Sequence, residues 1–549
     1  MRRPRRSGIG VLGASVLLAS LPGACGDASD GSGGDSGGTA TAGPVTSASA
    51  GEAGQPTTGG AGSAADAGDD ATGSSGASGA SDTGDESSGG ATTSPAAMPG
   101  PWDHGVYIPP EPQAPGDPAK GYDALLTRGY ITCGIPWLLF GLAKPLLGNY
   151  ANGEPMPGRP GKNAEVPHNW TVHKVDGAEI VSQNCLQCHA GHFNGQLMLG
   201  LGTAEADFTQ DMSAMLKAFP IPNIPIPGLE QMTRLMNRYK VLGPQTVMRT
   251  VGTNPAEAVA ITLVSHRDRH TLEWHDEPLL DLPNFILPSD PPPWWRAHKK
   301  NALFYNGMAR GDHRGTMMLA TALCTDSVEE AKEIDTYFAD IQAFIRSLRA
   351  PKYPFAIDAA LAGEGEAVFN ANCAGCHGTY GGPEQGDEAD TYPNLLFPLE
   401  IVGTDPVVAQ GGMYVPELVE WYNESFYGSI TRMTPDDPFP GYMAPPLDGV
   451  WATGPFLHNG SVPTIAQVLD SSERPVYWKR ENFDSTNFDE KALGWPHTSL
   501  PYGHAQASDS ERKYIYDTTQ FAHSNVGHTF GDHLMDSERR AVLEYLKTL

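Results

Sequence analysis

The chain has 549 residues, a formal net charge of -28 at pH 7 and seven cysteines. Such an excess of carboxylates repels the phosphate backbone of nucleic acids, so the composition argues against nucleic acid as a partner. We interpret the charge mainly as a contribution to solubility. Beyond the N-terminal region, the length is enough for two or three domains with hydrophobic cores.

Residues 1–25 have the features of an export signal. Four arginines lie among the first six residues, an apolar run extends from Ile9 to Leu21, and Pro22-Gly23-Ala24-Cys25 follows. Small residues before a cysteine are typical of a bacterial lipoprotein processing site, at which Cys25 would carry the lipid. Cleavage by ordinary signal peptidase nearby is the alternative. Both interpretations predict an exported chain, in the periplasm, anchored to the outer membrane or at the cell surface.

Residues 26–100 are predicted to be a disordered linker. They consist mostly of Gly, Ser, Ala, Thr and Asp, without Lys, Arg, Leu, Ile or aromatic residues. Such a segment has almost no apolar area to bury. No later run is long enough to span a bilayer, so a lipid at Cys25 would be the only membrane contact.

Two motifs then predict covalently bound cofactors. The first is Cys185-Leu186-Gln187-Cys188-His189, and the second is Cys373-Ala374-Gly375-Cys376-His377. Two thiols at this spacing add to the vinyl groups of one haem, and the following imidazole ligates its iron. No further C-x-x-C exists to complete a zinc site. We therefore expect two covalently bound haem c groups, haem 1 on His189 and haem 2 on His377.

The remaining pattern predicts two tandem units. Gly177–Cys185 and Gly365–Cys373 both carry Gly and an apolar residue at four-residue steps, which predicts a helix before each haem motif. Amphipathic helices over Val328–Leu348 and Ser537–Leu549, the latter with Ser537 as N-cap, would end the units. The predicted fold is mainly α with extensive irregular loops. It comprises two tandem cytochrome c-type haem domains, at residues 101–353 and 354–549, because prolines separate the units.

Cys133 and Cys324 are left over after haem and lipid attachment. In an oxidising compartment they either form a disulfide or stay as two buried free thiols.

Several segments resemble the bacterial di-haem cytochrome c peroxidase superfamily, and within it the rubber oxygenase branch. The likeness runs from about residue 118 to 549. The 444–464 segment is shared widely in the superfamily, and this chain is shorter after its second haem motif than a typical rubber oxygenase, which leaves the substrate open. The segments are Cys188–Gly195, Trp294–His313, Ala444–Thr464 and Gly527–His528.

The resemblance implies that His528, shortly before the last helix, is the sixth ligand of haem 2. Met443, in a Pro-rich loop, and His458 are the alternatives. A second strong ligand makes a haem an electron carrier, whereas an open position admits O2 or peroxide.

For haem 1 the resemblance implies an open iron beneath aromatic side chains. Phe304, Trp295 and Arg310 are the candidate catalytic residues of that distal pocket. His298 or His313 would supply an acid-base group in a peroxidase instead. The other aromatic candidates and possible electron bridges are Trp294, Tyr305, Trp421 and Trp451. The Asp436-Asp437 pair would be the start of a calcium site, but it lacks a clear oxygen-ligand spacing.

The implied function is an exported di-haem oxidoreductase that activates O2 or H2O2 at haem 1, with haem 2 passing electrons. One form is a dioxygenase that cleaves an apolar, polyisoprenoid substrate. Another is a peroxidase fed by a small electron-transfer protein. A different class, a non-catalytic electron-transfer lipoprotein with two six-coordinate haems, also fits the motifs.

Overall fold

The computed structural model describes residues 100–147, 153–217, 225–381 and 387–549. The predicted signal peptide, Cys25 and nearly all of the linker lie outside these ranges. Within them, no helix combines the length and apolar character needed to cross a membrane.

The structure mixes helix and sheet, at 38% helical and 14% strand residues, where the sequence predicted a mainly α chain. The helices are α1 Pro118–Thr127, α2 Trp137–Leu147, α3 Met212–Lys217, α4 Leu229–Gln245, α5 Ala256–Ser265, α6 Arg314–Met318, α7 Val328–Ser347, α8 Ala359–Asn372, α9 Ala374–His377, α10 Leu399–Val402, α11 Val407–Tyr414, α12 Pro416–Glu424, α13 Ile465–Leu469, α14 Asp509–Arg512 and α15 Asp536–Leu546.

The strands are short and pair antiparallel. They are β1 Val106–Tyr107, β2 Ile135–Pro136, β3 Trp170–Val175, β4 Ala178–Gln183, β5 Ala190–Phe193, β6 Gln196–Leu199, β7 Ala309–Gly311, β8 Leu395–Pro398, β9 Thr431–Met433, β10 Gly441–Met443, β11 Tyr477–Arg480, β12 His497–Ser499 and β13 Tyr516–Asp517. The small sheets have the orders β1-β8-β10, β12-β11-β13, β2-β4-β3, β5-β6 and β7-β9.

A pair of packed helices occurs twice in the chain. Helix α1 packs on α7, and α8 packs on α15. A glycine lies at each crossing: a Cβ at Gly121 would be 1.9 Å from the Asp340 carbonyl oxygen, and one at Gly365 would be 1.9 Å from the Ala541 oxygen. Only glycine permits this approach of two backbones. The repeated pair is consistent with two tandem units, whose boundary at residue 353 stays a prediction.

The predicted helix over Gly177–Cys185 is wrong. Strand β4 occupies that region and pairs with β3, with Val175 opposite Ala178. Asp176 and Gly177 form the turn with φ of 49° and 81°, and an Asp-Gly pair between apolar runs is a strong hairpin signal. The first helix of the repeat is instead α1. Residues 128–184 lie between this helix and the first haem motif.

The other helix predictions are largely confirmed. Helix α8 covers the predicted helix before the second haem motif, and α7 matches Val328–Leu348 to within one residue. Helix α15 begins at Asp536, so Ser537 lies in its first turn and is not the N-cap. The carboxylate of Glu538 accepts from the Met535 N–H at 2.8 Å, which satisfies a backbone donor at this helix start.

Cys133 and Cys324 form a disulfide with their Cα atoms 5.6 Å apart. Both residues are fully buried. The bridge joins the segment between α1 and β2 to the segment before α7, so it links the two helices of the first pair. This settles the alternative between a disulfide and two free thiols.

Candidate haem sites

The second haem motif continues directly from α8. The Cys373 N–H donates to the Phe369 carbonyl at 2.7 Å, and the His377 N–H donates to the Cys373 carbonyl at 3.0 Å. The helical turn therefore presents both thiols and the imidazole together. Burial raises the pKa of Cys373 to about 11 and that of Cys376 to about 12, so both thiols are neutral at pH 7.

The orientation of His377 is fixed by a backbone carbonyl. Its Nδ1 lies 2.8 Å from the Pro445 oxygen, so Nδ1 carries the proton and Nε2 keeps its lone pair. Burial lowers the pKa of His377, which keeps the ring neutral. A neutral imidazole with a free Nε2 is the form that ligates a metal.

His528 faces His377. Their ring centroids are 6.2 Å apart, with the planes tilted by 56°. An imidazole nitrogen binds a metal at about 2.0 Å, so two imidazoles on one metal ion place their ring centres roughly 6 Å apart. Burial lowers the pKa of His528 to about 4. Two neutral rings at this separation can hold one haem iron between them.

The backbone at His528 has an unusual conformation that its neighbours support. Gly527 and His528 have φ of 76° and 44°, and a Cβ at Gly527 would lie 2.1 Å from the Gly403 carbonyl carbon. The His528 N–H donates to the Val402 carbonyl at 2.7 Å. The close approach to α10 thus requires glycine at 527 and fixes the position of the imidazole.

Arg474 holds the same loop from the other side. Its guanidinium donates to the carbonyls of Gly527 at 2.6 Å and His528 at 3.0 Å. It also donates to the Asn525 carbonyl at 2.8 Å and to the Gln467 carbonyl in α13 at 2.8 Å. One side chain thus ties the His528 loop to a helix end. Arg474 could not be predicted from the sequence, because no motif marks a contact with backbone oxygens.

The alternative ligands for haem 2 are engaged elsewhere. The ring of His458 stacks on Tyr442 at 4.4 Å, and its Nε2 is 3.2 Å from the Tyr442 hydroxyl. Met443 is buried in β10, where a Cβ at Gly307 would lie 2.6 Å from its sulfur. The geometry therefore favours His528 as the partner of His377.

The first haem motif forms a short 3-10 turn. Asn184 caps it by accepting from the Leu186 N–H at 2.9 Å. The Cys185 N–H donates to the hydroxyl of Tyr130, which lies just after α1, at 3.0 Å. This contact brings α1 beside the motif despite the intervening hairpin. Burial raises the pKa of Cys185 to about 11 and also raises the pKa of Cys188, so both thiols are neutral at pH 7.

His189 is half-buried and packs against an aromatic side chain. The indole of Trp294 stacks on its ring with centroids 4.9 Å apart and planes 26° from parallel. Burial lowers the pKa of His189 to about 4, so its ring is neutral. Stacking on the imidazole face restricts its rotation and leaves the direction of the nitrogen lone pairs open. Trp294, rather than its neighbour Trp295, therefore contacts the first haem motif.

The three predicted catalytic residues lie in different local settings. Trp295 is buried and donates from Nε1 to the Asp448 carbonyl at 2.8 Å. Phe304 has φ of 66°, an uncommon conformation for a bulky residue that is often associated with functional sites. Arg310 is fixed by the carbonyls of Gly307 and Asp437. Its guanidinium is thereby directed to backbone.

The two predicted acid-base histidines, His298 and His313, have different surroundings. His313 is fully buried, and burial lowers its pKa to about 4. The carbonyl of His298 accepts from Arg346 at 3.4 Å. The two candidate bridging tryptophans are buried and donate to carbonyls, Trp421 to Arg267 at 2.6 Å and Trp451 to Leu549 at 3.2 Å.

Among the described residues, no group of three or more His, Cys, Asp or Glu side chains is placed to hold a metal ion. Asp436 and Asp437, the predicted start of a calcium site, lie among these described residues.

A family model described as RoxA-like, cytochrome c-like matches residues 441–479. That segment includes β10, His458 and α13. The match relates the chain to RoxA-like cytochromes c and implies haem c as a cofactor. The two C-x-x-C-H motifs, with half-buried neutral thiols and imidazoles, fit that group.

Two proteins of Sinorhizobium fredii (strain NBRC 101917 / NGR234), both named as uncharacterized, are similar in sequence. One is y4iJ, 31% identical over 262 residues, which are 37% of this chain and 41% of y4iJ. The other is y4iM, 26% identical over 272 residues, which are 45% of this chain and 58% of y4iM. The chain thus spans less than two thirds of the length of either relative.

Proposed function

We propose that the chain is an exported di-haem c-type oxidoreductase in which the two haems divide the work. The haem on His189 is the site at which dioxygen or peroxide binds. The haem on His377 and His528 passes electrons. Residues 101–353 and 354–549 form the two cytochrome c-type domains, and a lipid at Cys25 anchors the exported chain to a membrane.

The contrast between the two proximal histidines carries this proposal. The ring opposite His377 is another neutral imidazole at the separation that a shared iron requires. Among the described residues, the indole of Trp294 stacks on the face of His189, and no second imidazole pairs with His189 as His528 pairs with His377. Two strong axial ligands favour electron transfer, and one leaves a coordination position open.

When bound, a c-type haem with an open axial position supplies the binding and redox chemistry of O2 or peroxide. The protein's own groups set up that chemistry. The Pro445 carbonyl holds the Nδ1 proton of His377 and directs Nε2 inward. Trp294 fixes the plane of His189. Lys300 donates to the Phe304 carbonyl at 3.1 Å and so supports the left-handed backbone of that residue.

Phe304 is the proposed distal residue of haem 1, beside an apolar substrate. The support is its strained backbone and the resemblance of the segment around it to rubber oxygenases. The resemblance of the Trp294–His313 segment to rubber oxygenases is the ground on which we propose dioxygen rather than peroxide as the oxidant. A polyisoprenoid chain is the substrate class we propose, cleaved by addition of O2 across a double bond.

His528→Ala tests the division of labour. EPR should show that haem 2 changes from low-spin to high-spin. Mass spectrometry should show that both haems are still attached. His533→Ala is the matched control, because His533 lies on the same stretch but its Nε2 contacts Asn372 at the surface, at 3.1 Å. Phe304→Ala should change O2 or peroxide reactivity at haem 1 and leave the haem 2 spectrum unchanged.

Two results would contradict the proposal. If His528→Ala leaves every low-spin signal intact, another residue ligates haem 2. If the unmodified protein shows two low-spin haems that bind neither CO nor O2, the chain is an electron carrier and not an oxygen-activating enzyme. Rapid conversion of peroxide without cleavage of a polyisoprenoid would instead identify a peroxidase.

A further inference from the structure

A segment at the N-terminal end of the described residues lies against the second haem motif and its sheet. Pro101–His104 form a 3-10 turn. Strand β1 follows and pairs antiparallel with β8, which lies after the second haem motif in the chain. The Ile108 N–H then donates to the Asn394 carbonyl at 2.9 Å. We call residues 100–108 the strap, because they cross from the first predicted domain to the second.

Within the strap, Trp102 fills a space that only glycine leaves open. A Cβ at Gly375 would lie 2.5 Å from Cδ2 and 2.6 Å from Cγ of the Trp102 indole. The half-buried ring therefore lies directly on the backbone of the second haem motif, and no larger residue fits at position 375 without moving it. In the first haem motif the corresponding residue is Gln187, whose side chain accepts from Asn169 at 2.7 Å. The contact with Trp102 thus distinguishes the second motif from the first.

The covalent chemistry of the motif places one edge of haem 2 beside that ring. Thioether bonds would hold the haem at the sulfurs of Cys373 and Cys376. This edge is therefore fixed by the motif itself, whatever the position of the iron. Gly375 lies between the two cysteines, which are both only half-buried. Removal of the Trp102 indole would hence open the attachment turn to water.

The strap also supports the proximal ligand of haem 2. It supplies the edge strand of the sheet β1-β8-β10, and a Cβ at Gly105 would lie 2.8 Å from the Phe397 ring in β8. Phe397 lies opposite Tyr442 of β10. The chain continues from β10 to Pro445, whose carbonyl accepts the Nδ1 proton of His377. One segment thus covers the attachment turn and supports the sheet that orients the axial imidazole.

We propose that Trp102 is a positioning residue that raises the redox potential of haem 2 by excluding water from its attached edge. The inference rests on the proposed function, in which this haem carries electrons. Ferric haem has one more positive charge than ferrous haem, so water stabilises the ferric form more. Because solvent access and the local dielectric control the potential of a metal site, a covering indole favours the reduced form.

A spectroelectrochemical titration of the exported holoprotein, followed at the low-spin signal of haem 2, tests the proposal. Trp102→Ala should lower the midpoint potential of this haem, so that less of it is reduced at a fixed applied potential. Trp102→Phe keeps a ring over Gly375 and should restore most of the unmodified value. Tyr107→Ala is the matched control, because it removes an aromatic ring of the same strap that is 56% exposed. It should leave the potential unchanged.

Gly375→Ala perturbs the same contact from the other side. The added methyl group would displace the indole, so this variant alone should also lower the midpoint potential of haem 2. In the Trp102→Ala background there is no ring to displace, and Gly375→Ala should then have little further effect. This non-additivity separates loss of the contact from a direct effect on the attachment turn.

Mass spectrometry and EPR of each variant distinguish failure of this inference from failure of the proposed function. With two haems attached, the inference is overturned if Trp102→Ala leaves the midpoint potential of haem 2 unchanged or if Tyr107→Ala lowers it equally. It is also overturned if Gly375→Ala has the same effect with and without Trp102. Should Trp102→Ala not fold, an unchanged potential in Gly375→Ala overturns it as well. Fewer than two haems, or no low-spin haem, in the unmodified protein would refute the proposed function.

Discussion

The hydrogen bonds that Arg474 donates to the loop at Gly527 and His528 allow a direct test of how that loop holds the His528 imidazole in place. Arg474→Met removes the hydrogen bonds to the Gly527 and His528 carbonyls at 2.6 and 3.0 Å. A hydrogen bond from a charged donor contributes roughly 1.5–3 kcal/mol. Because the two bonds share one guanidinium and are not additive, we expect a loss of about 3 kcal/mol. That corresponds to a shift on the order of 100-fold toward a displaced loop.

Two measurements test this expectation. One is the affinity of the reduced protein for CO, and the other is the temperature at which the low-spin signal of haem 2 disappears. Under the proposed ligation His528 competes with CO in the unmodified protein, so Arg474→Met should bind CO at haem 2 on the order of 100-fold more tightly. Arg474→Lys, which keeps the charge but not the planar fork, should show a smaller effect. The reasoning fails if Arg474→Met behaves like the unmodified protein while His528→Ala does not.

Three other predictions use separate features. Cys188→Ala should weaken attachment of haem 1 and leave haem 2 bound, which mass spectrometry of the exported protein measures. Cys25→Ser should release the chain from the membrane fraction; an unchanged distribution would dismiss the lipid anchor. Burial raises the pKa of Asp290 from its ordinary value of 3.8 to about 8 in the folded chain. The unfolded chain therefore releases that proton first, and the free energy of unfolding should fall as pH rises from about 4 to about 8. In denaturant titrations, the free energy of unfolding of Asp290→Asn should fall less over this pH range than that of the unmodified protein.

The haem motifs and the helices that stand on strong periodicity could be predicted from the sequence. The Gly177–Cys185 stretch could not, because apolar residues four apart fit a helix face and one face of a strand equally well. Asp176-Gly177 was the signal that distinguishes the two, since this pair forms a two-residue hairpin turn. The glycine that marks the first helix pair is Gly121, which is far from the first haem motif in the chain.

The sequence could not distinguish the roles of site residues that are adjacent in the chain. Trp294 and Trp295 are identical residue types in the same short segment, so the sequence offers no reason to prefer either. They belong to a 3-10 turn in which successive side chains point about 120° apart. One indole therefore stacks on His189 while the other donates to Asp448. Only the three-dimensional arrangement assigns them. The same holds for His528, whose position opposite His377 depends on a turn at Gly527 and on Arg474.

Identical motifs can serve different chemistry because the groups around them differ. At His377 the Pro445 carbonyl accepts the Nδ1 proton, which makes the opposite nitrogen a stronger donor to a metal. At His189, Nδ1 is buried and has no hydrogen-bond partner within the part of the chain that the structure describes. A proximal imidazole without that support is a weaker donor to a metal, and Trp294 stacks on the face of the His189 ring. The proposed difference between the two sites in axial ligation and ligand strength would therefore arise from residues that lie outside the C-x-x-C-H pattern.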